Sequence, residues 1–148
     1  MFQPDYFAAR AAFRDLAERH NGSLSAWEII APENGQEEGL TIDAAVFGTG
    51  PKTLVLTSGL HGVEGFTGSA IQAQMIQTAL PKDIRVVMVH ALNPYGMANI
   101  RRVNENNVDL NRNFLGEKAN YKGSSLEYQQ LDHLLNPTGP SGGVDFML

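Results

Sequence analysis

The spacing of apolar residues along the chain is helical at first and extended afterwards. Between Asp5 and His20 apolar side chains recur every three or four positions, as on one face of an α-helix. Leu24–Ile30 has the composition of a strand, and Leu40–Phe47 alternates weakly between apolar and polar residues, with the turn-rich segment 32–39 between them. The pattern therefore predicts a helix followed by two strands that form an antiparallel hairpin.

Two short apolar runs further along the chain indicate strands that are buried on both faces. They are Thr53–Thr57 and Ile84–His90. The segment between them predicts a helix that begins near Glu64 or Gly68 and ends before Pro81. Strand, helix and strand at this spacing form a βαβ unit. We therefore expect an α/β fold with a mixed, mainly parallel central sheet that is flanked by helices.

The rest of the chain is polar before it becomes helical again. Segment 93–113 contains seven asparagines and reads as a long loop, which in a compact domain is often functional. Leu126–Leu135 predicts a short helix, and the Pro- and Gly-rich residues 136–148 predict a final loop. The length of 148 residues is that of a single domain, so we assign 1–148 to one domain.

Composition and charge exclude several classes of function. The chain has no cysteine, which excludes a disulfide scaffold, thiolate catalysis and a cysteine-based zinc finger. Its formal net charge is -5 and it has no Lys/Arg-rich run, so we expect neither nucleic acid nor an anionic membrane as a partner. We find neither a signal peptide nor a membrane-spanning run, and we therefore expect a cytoplasmic location.

His61 and Glu64 are the first candidates for chemistry. They lie three residues apart on the loop that follows Thr53–Thr57, among the glycines Gly59, Gly62, Gly65 and Gly68. Imidazole nitrogen and carboxylate oxygen both bind zinc, and ligands of open α/β sheets bind beyond the carboxyl ends of the strands. The same spacing also occurs in structural or surface pairs, so the pair alone leaves a metal site and a structural contact as alternatives.

The second candidate is segment 101–114, which holds three arginines and several asparagines. Guanidinium groups bind carboxylates through two parallel hydrogen bonds, and an amide such as that of Asn111 adds a further donor. Such a set suits the anionic end of a substrate, or a carbonyl that is polarised in a transition state. The alternative is that Asp109 pairs with Arg112 and that the asparagines only form turns.

Together these segments resemble the zinc carboxypeptidases, the carboxypeptidase A-like metallopeptidases. The resemblance rests on Gly-Leu-His-Gly-Val-Glu-Gly at 59–65, Asn-Pro-Tyr-Gly at 93–96 and Val-Asp-Leu-Asn-Arg-Asn-Phe at 108–114, in the order and approximate spacing of that family. It covers roughly residues 53–114, and the branch that the chain resembles is a poorly characterised bacterial one. The resemblance implies a zinc carboxypeptidase-like fold, of which residues 1–148 form the N-terminal part.

The resemblance also implies a role for each matching residue. His61 and Glu64 would be zinc ligands, which makes Zn2+ the expected cofactor. Asn111 and Arg112 would hold the terminal carboxylate of the substrate. Arg102 would be the catalytic arginine that polarises the scissile carbonyl. The implied function is that of a metallocarboxypeptidase, a zinc-dependent hydrolase that cleaves a peptide or amide bond next to a free carboxylate.

The end of the chain departs from the family pattern. The family has a third zinc ligand, a histidine beyond the Asn-Arg pair, and a later glutamate that serves as the general base. Here His133 is expected to lie on a helix, and Glu117 and Glu127 lie in the wrong context for a base. We therefore expect an N-terminal part of a longer enzyme or a shortened relative. Its uncovered sheet would be completed by a homo-oligomer or by a missing C-terminal part.

Several alternatives stay open at this point. Deacylases of N-acyl amino acids share the half-site, so an acyl amino acid is an alternative to a peptide as substrate. A chain with two zinc ligands is also compatible with a non-catalytic protein that binds a metal or another ligand. Arg101 is the alternative to Arg102 for the carbonyl-polarising role. His90 either supports the site from behind or is a packed strand residue.

Overall fold

The helices and strands that the apolar pattern predicts follow one another in the predicted order, and the structure adds a short helix and a 3₁₀ turn after the last strand. The structure is a computed structural model, which describes residues 2–32, 38–78, 80–81, 83–114 and 124–135. The first of two compact units, residues 1–113, contains α1 (Tyr6–Arg19), β1 (Ser23–Ile30), β2 (Leu40–Phe47), β3 (Thr53–Thr57), α2 (Gly65–Thr78), β4 (Arg85–His90), α3 (Pro94–Ala98) and a 3₁₀ turn (Leu110–Arg112). The second unit, residues 114–148, contains α4 (Leu126–Leu135).

The four strands form one mixed sheet in the order β1-β2-β4-β3. The β1-β2 hairpin is antiparallel, and β3, α2 and β4 form a βαβ unit with parallel strands, so both expectations are confirmed. The α/β class and the mixed sheet are confirmed as well. The balance of directions differs from a mainly parallel sheet, because β2 lies antiparallel to both its neighbours and only the β3-β4 pairing is parallel.

Segment 93–113 is more ordered than its polar composition indicates. It contains α3, which begins because Asn93 caps it: the side-chain oxygen of Asn93 accepts a hydrogen bond from the backbone of Gly96 at 2.8 Å. Pro94 follows at the first helical position, where its fixed backbone angle suits a helix. Residues 33–37 of the turn-rich segment, the final loop at 136–148 and Glu117 lie outside the described residues.

The core lies between one face of the sheet and helices α1 and α2. Phe13 of α1, Ile76 of α2 and Met88 of β4 belong to one buried cluster. Strand register places Trp27 and Val55 on the opposite face, where each side chain is 56% exposed. The described residues thus leave that face of the sheet open to solvent. No helix among them is long and apolar enough to cross a membrane.

A buried ion cluster joins α1 to β2. The carboxylate of Asp43 is fully buried and accepts hydrogen bonds from Arg10 at 2.9 Å, Arg14 at 2.6 Å and the Thr41 hydroxyl at 2.6 Å. Burial raises the pKa of Asp43, but these three hydrogen bonds outweigh it and hold the pKa below its ordinary value. The hydroxyl of Tyr6 donates to the Thr41 carbonyl at 2.8 Å, which adds a neutral bond between the same two elements.

His90 is a packed strand residue and not part of the strand-end site described below. Its ring stacks on Phe13 with 4.9 Å between centroids, and its Nε2 lies 3.0 Å from the hydroxyl of Ser69. Nδ1 has no hydrogen-bond partner among the described residues. Burial lowers the pKa of His90 to about 4, so the folded protein holds the ring neutral at physiological pH.

This buried histidine predicts a loss of stability in mild acid. The unfolded chain binds the proton at about pH 6.5, whereas the folded pKa is about 4. The contribution of His90 to the free energy of unfolding is therefore complete above about pH 6.5 and is lost as the pH falls toward 4. We expect the free energy of unfolding to drop by about 3 kcal/mol across this window. Urea denaturation at a series of pH values measures it.

A variant that lacks the His90 ring separates the acid-induced loss of stability caused by His90 from that caused by other groups. His90→Gln removes the titrating ring while keeping a group that can bond to Ser69, so the slope between pH 6.5 and 4.5 should flatten. His20→Gln, at the exposed end of α1, is the matched control and should keep the wild-type profile. An unchanged slope in His90→Gln would show that another group causes the acid sensitivity.

Candidate functional site

The loops that follow β3 and β4 leave the sheet side by side. The backbone N–H of Ser58 donates to the Val89 carbonyl at 3.0 Å, and Leu92 and Asn93 donate to the carbonyls of Ser58 and Gly59 at 2.9 and 2.8 Å. These bonds continue the contact between the two strands beyond the end of the sheet. The segments that carry His61 and Asn93 therefore start from fixed, adjacent positions.

Gln72 of α2 fixes the same two strand ends from the helix side. Its side chain is 3% exposed, and its amide nitrogen donates to the carbonyls of Leu56 at 3.2 Å and Val89 at 3.1 Å. Its side-chain oxygen accepts a hydrogen bond from the Ser58 hydroxyl at 3.0 Å. One buried amide thus joins β3, β4 and the start of the His61 loop.

A close approach of two glycines brings the His61 loop against the polar segment. A Cβ on Gly62 would lie 2.0 Å from the carbonyl carbon of Gly96, a distance that no side chain can occupy. At this contact the backbone N–H of Val63 donates to the Arg101 carbonyl at 3.0 Å, and Gly62 donates to that of Arg102 at 3.4 Å. The arginine segment is therefore attached to the His61 loop through its backbone.

His61 and Glu64 face each other across this loop. Nδ1 of His61 lies 3.4 Å from both carboxylate oxygens of Glu64. Two ligands of a tetrahedral zinc ion, at bond lengths of about 2.1 Å, are about 3.4 Å apart. The imidazole is largely buried whereas the Glu64 side chain is 66% exposed, so the pair opens toward solvent. The separation fits two adjacent positions of a metal site.

Asp109 holds the other nitrogen of the imidazole. Its Oδ1 lies 3.0 Å from Nε2 of His61, and a carboxylate can only accept, so Nε2 carries the proton and donates. In the neutral ring this leaves the lone pair of Nδ1 on the side of Glu64. A carboxylate behind a histidine in this way is the usual partner of a metal-binding imidazole.

Arg102 completes the group around Asp109. Its Nε donates to the second carboxylate oxygen at 2.9 Å, and the backbone N–H of Asn111 donates to the first at 2.9 Å. The hydrogen bond from Arg102, with those from His61 and Asn111, lowers the pKa of Asp109 to about 2. The carboxylate is therefore ionised at every physiological pH, which keeps it an acceptor for His61.

A pocket of 430 Å³ lies on the open side of the pair. Its lining consists of Thr57, Ser58, Gly59, Leu60, His61, Glu64, Gly68 and Asn111. The structure thus brings Asn111 to the two predicted ligands and brings Arg102 to them through Asp109. Arg112 instead donates to the backbone carbonyl of Asn111 at 3.3 Å, within its own turn. Arg101 contributes the backbone carbonyl bonded to Val63.

Asp109 is the residue of this group that was absent from the predicted site. The alternative interpretation of this segment paired Asp109 with Arg112, whereas the fold pairs it with Arg102. The available signal was its position inside the string 108–114, two residues before Asn111 of the Asn-Arg pair. Its pairing with His61, 48 residues away in sequence, depends on the contact between the two loops.

The two candidate ligands, His61 and Glu64, are fewer than the three protein ligands that a catalytic zinc ion typically takes. Within them no group of three or more His, Cys, Asp or Glu side chains is arranged to hold a metal ion. His133 and Glu127 both lie on α4, in the second unit. His61 and Glu64 fit a metal by atom type and separation, and the donor set remains a half-site.

The contact between the two glycines gives a test of how the site is assembled. Gly62→Ala forces a methyl group into the backbone of Gly96, so we expect a loss of about 1–3 kcal/mol in the free energy of unfolding. Val63→Ala, which shortens a neighbouring side chain that is 41% exposed, is the control and should change stability little. Urea denaturation compares them, and equal stability of the two variants would contradict the close approach.

Comparisons with known proteins place the chain in a family. Among curated proteins no match was found. A succinylglutamate desuccinylase/aspartoacylase from Rhodobacter sphaeroides is similar with a TM-score of 0.49 and 24% identity, over 79% of this chain and 36% of that one. The bottromycin maturation enzyme BotP gives a TM-score of 0.33 and 16% identity, over 59% of this chain and 25% of that one.

A structure of BotP in complex with Mn gives a TM-score of 0.31 and 15% identity, over 59% of this chain and 26% of that one. The chain thus spans about a third or less of the length of each of these proteins. The match to a family model extends over nearly the whole sequence. On that match, over residues 2–145, the chain belongs to the family described as a protein of unknown function, DUF2817.

Proposed function

We propose that this chain carries the metal half-site of a zinc-dependent hydrolase that cleaves a peptide or amide bond next to a free carboxylate. The observation that carries the proposal is the arrangement of the His61 ring between two carboxylates. Nδ1 lies 3.4 Å from Glu64, and Nε2 is held at 3.0 Å by Asp109. A surface pair formed by chance has no reason to have its imidazole fixed from behind.

The residues of the half-site have separate tasks. His61 and Glu64 would hold the ion, which would act as a Lewis acid and would lower the pKa of a water molecule. Asp109 keeps the imidazole in the tautomer that offers Nδ1 to the ion. Arg102 pairs with Asp109, the carboxylate that holds the imidazole of His61. The remaining guanidinium donors of Arg102 would donate to the oxygen of a substrate carbonyl.

The substrate side of the proposal rests on the pocket. Asn111 lines it together with the metal ligands, so its amide can donate to a carboxylate of the substrate that lies a few atoms from the scissile carbonyl. Arg112 follows Asn111 in the same turn, and a rotation of its exposed side chain away from the Asn111 carbonyl would bring a guanidinium to the same carboxylate. These two residues would give the site its preference for an anionic end.

The N-acyl amino acid is the second candidate substrate. It presents the same two groups as a peptide, an amide carbonyl and a nearby carboxylate, and differs in what lies beyond the carbonyl. The pocket is open on the solvent side of Glu64, whose side chain is 66% exposed, and this opening favours neither a peptide nor a short acyl group. Side-by-side assays of a peptide series and an N-acyl amino acid series distinguish the two.

Zinc binding is the direct test of the half-site. Calorimetric titration of the full chain should show one zinc ion bound, and His61→Ala should abolish the binding because it removes Nδ1. Asp109→Asn keeps the shape of the side chain but not its charge, and we expect this variant to lower the affinity for zinc by about 10- to 100-fold. His20→Ala, an exposed histidine outside the site, is the control. Equal binding by wild type and His61→Ala would refute the assignment.

The two neighbouring arginines give a matched test of catalysis. Arg102→Ala removes the side chain that contacts Asp109, and we expect the hydrolysis rate with zinc to fall about 100-fold or more. Arg101→Ala keeps the backbone carbonyl that binds Val63, so its rate should stay close to wild type. The reverse result would assign the carbonyl-polarising role to Arg101. Zinc binding without hydrolysis of either substrate series would favour the non-catalytic alternative.

A further inference from the structure

The chain leaves β4 through a left-handed residue that is not a glycine. Ala91 directly follows the strand, is fully buried and has a φ of 56°. A residue with a Cβ disfavours this conformation, so contacts with its neighbours must hold Ala91 in it. Gly59, in the loop beyond β3, has a φ of 69°, and a Cβ on it would lie 3.1 Å from the Cα of Ala91. The two loops therefore leave the sheet through two left-handed residues that lie against each other.

Ser58 supplies the side-chain contact that holds this turn. The backbone N–H of Ala91 donates to the hydroxyl oxygen of Ser58 at 3.3 Å, and Ser58 is 5% exposed. The next backbone N–H, that of Leu92, donates to the carbonyl of the same serine at 2.9 Å. Ser58 thus binds two consecutive amides of the turn, one through its side chain and one through its backbone.

Gln72 determines the direction in which the Ser58 hydroxyl points. The amide nitrogen of Gln72 donates to the carbonyls of Leu56 and Val89, which fixes the orientation of the amide and turns its oxygen toward Ser58. An amide oxygen only accepts, so the Ser58 hydroxyl donates to it at 3.0 Å. The lone pairs of the hydroxyl then remain for the N–H of Ala91. Both the donor and the acceptor of this one hydroxyl are therefore in use.

The turn at Ala91 directs the segment that carries the arginines. Two residues later the side chain of Asn93 accepts from the N–H of Gly96 at 2.8 Å and donates to the carbonyl of Arg102 at 3.3 Å. Gly96 is the residue whose backbone approaches Gly62 of the His61 loop. A change of backbone angle at Ala91 would rotate Asn93 and move both contacts with it.

We infer that Ser58 and Gln72 are positioning residues of the candidate site. The hydroxyl of Ser58, oriented by Gln72, holds Ala91 in its left-handed conformation, and this turn places the segment that contains Arg102 and Asp109 against the His61 loop. The consequence for catalysis rests on the proposed function. The link between the turn and the contact of the two loops does not, because it needs neither a metal nor a substrate.

Backbone amide exchange in the zinc-free chain tests this link. The N–H of Val63 donates to the carbonyl of Arg101, so its exchange rate reports the contact between the loops. Val86, a fully buried residue of the central strand β4, gives the reference rate. Ser58→Ala should raise the exchange rate of Val63 about tenfold relative to that of Val86, because it removes the hydroxyl that holds Ala91.

Two further variants separate positioning from a general loss of stability. Gln72→Ala should raise the same ratio of exchange rates, because it frees the Ser58 hydroxyl to turn away from Ala91. Ser69→Ala is the matched control, since it removes another buried hydroxyl of α2, which lies 3.0 Å from Nε2 of His90 in β4. This control should leave the ratio unchanged. An unchanged ratio in Ser58→Ala, or an equal rise in Ser69→Ala, overturns the inference.

A glycine at position 91 tests whether the hydroxyl acts through the turn. Glycine adopts a positive φ without a steric penalty, so Ala91→Gly removes the need for the hydroxyl. The double variant Ser58→Ala/Ala91→Gly should therefore recover most of the wild-type exchange ratio of Val63, also where Ser58→Ala alone fails to fold. A double variant that keeps the raised ratio, or that does not fold, would give Ser58 a role in packing only and would overturn the inference.

Hydrolysis by the zinc-loaded chain tests the consequence for catalysis. Ser58→Ala should lower kcat about tenfold or more on the substrate that the wild type cleaves, because the arginine segment is displaced from the metal ligands. Ser69→Ala should keep the wild-type kcat. An equal kcat in Ser58→Ala and wild type overturns the positioning role. A wild type that hydrolyses nothing would refute the proposed function alone, since the exchange experiment then decides whether Ser58 positions the loops.

Discussion

The contact between Gly62 and Gly96 is the constraint on which the site depends. Backbone meets backbone there, because a Cβ on Gly62 would lie 2.0 Å from the carbonyl carbon of Gly96. Because the two chains touch, the carbonyls of Arg101 and Arg102 reach the amides of the His61 loop. A side chain at Gly62 would separate the loops and with them the imidazole of His61 and the carboxylate of Asp109. The chemistry of the group therefore rests on a packing requirement that involves no reactive residue.

The sheet positions these loops before they meet. β3 and β4 are parallel neighbours, so their carboxyl ends lie at one edge and the segments beyond them start side by side. Gln72 ties both strand ends to α2 from within the core. Asn93 then caps α3 and turns the polar segment back toward the His61 loop. These contacts use backbone hydrogen bonds, which any sequence could form. The side chains of Gln72 and Asn93 determine where along the chain the contacts form.

Local signals explain which parts of this arrangement were predictable from sequence. The bounds of β3 follow from a short apolar run and those of β2 from a weak alternation of apolar and polar residues. The candidate ligand pair His61 and Glu64 follows from its place after β3. α3 was missed because a five-residue helix is too short to show an apolar period, and its cap and proline were the only signals. The contact of His61 with Asp109 joins residues 48 apart in sequence, and no local pattern encodes such a distance.

Two carboxylates with lowered pKa values show how one kind of ion pair serves two purposes. Asp43 is fully buried, and its cations Arg10 and Arg14 come from α1, so its charge acts between helix and sheet. Asp109 lies at the surface and shares its oxygens between a cation and an imidazole that lines a pocket. Of these two carboxylates, only Asp109 fixes the orientation of a side chain that lines the pocket, the imidazole of His61. Removing the first acts on folding, whereas removing the second acts on what His61 presents to the pocket.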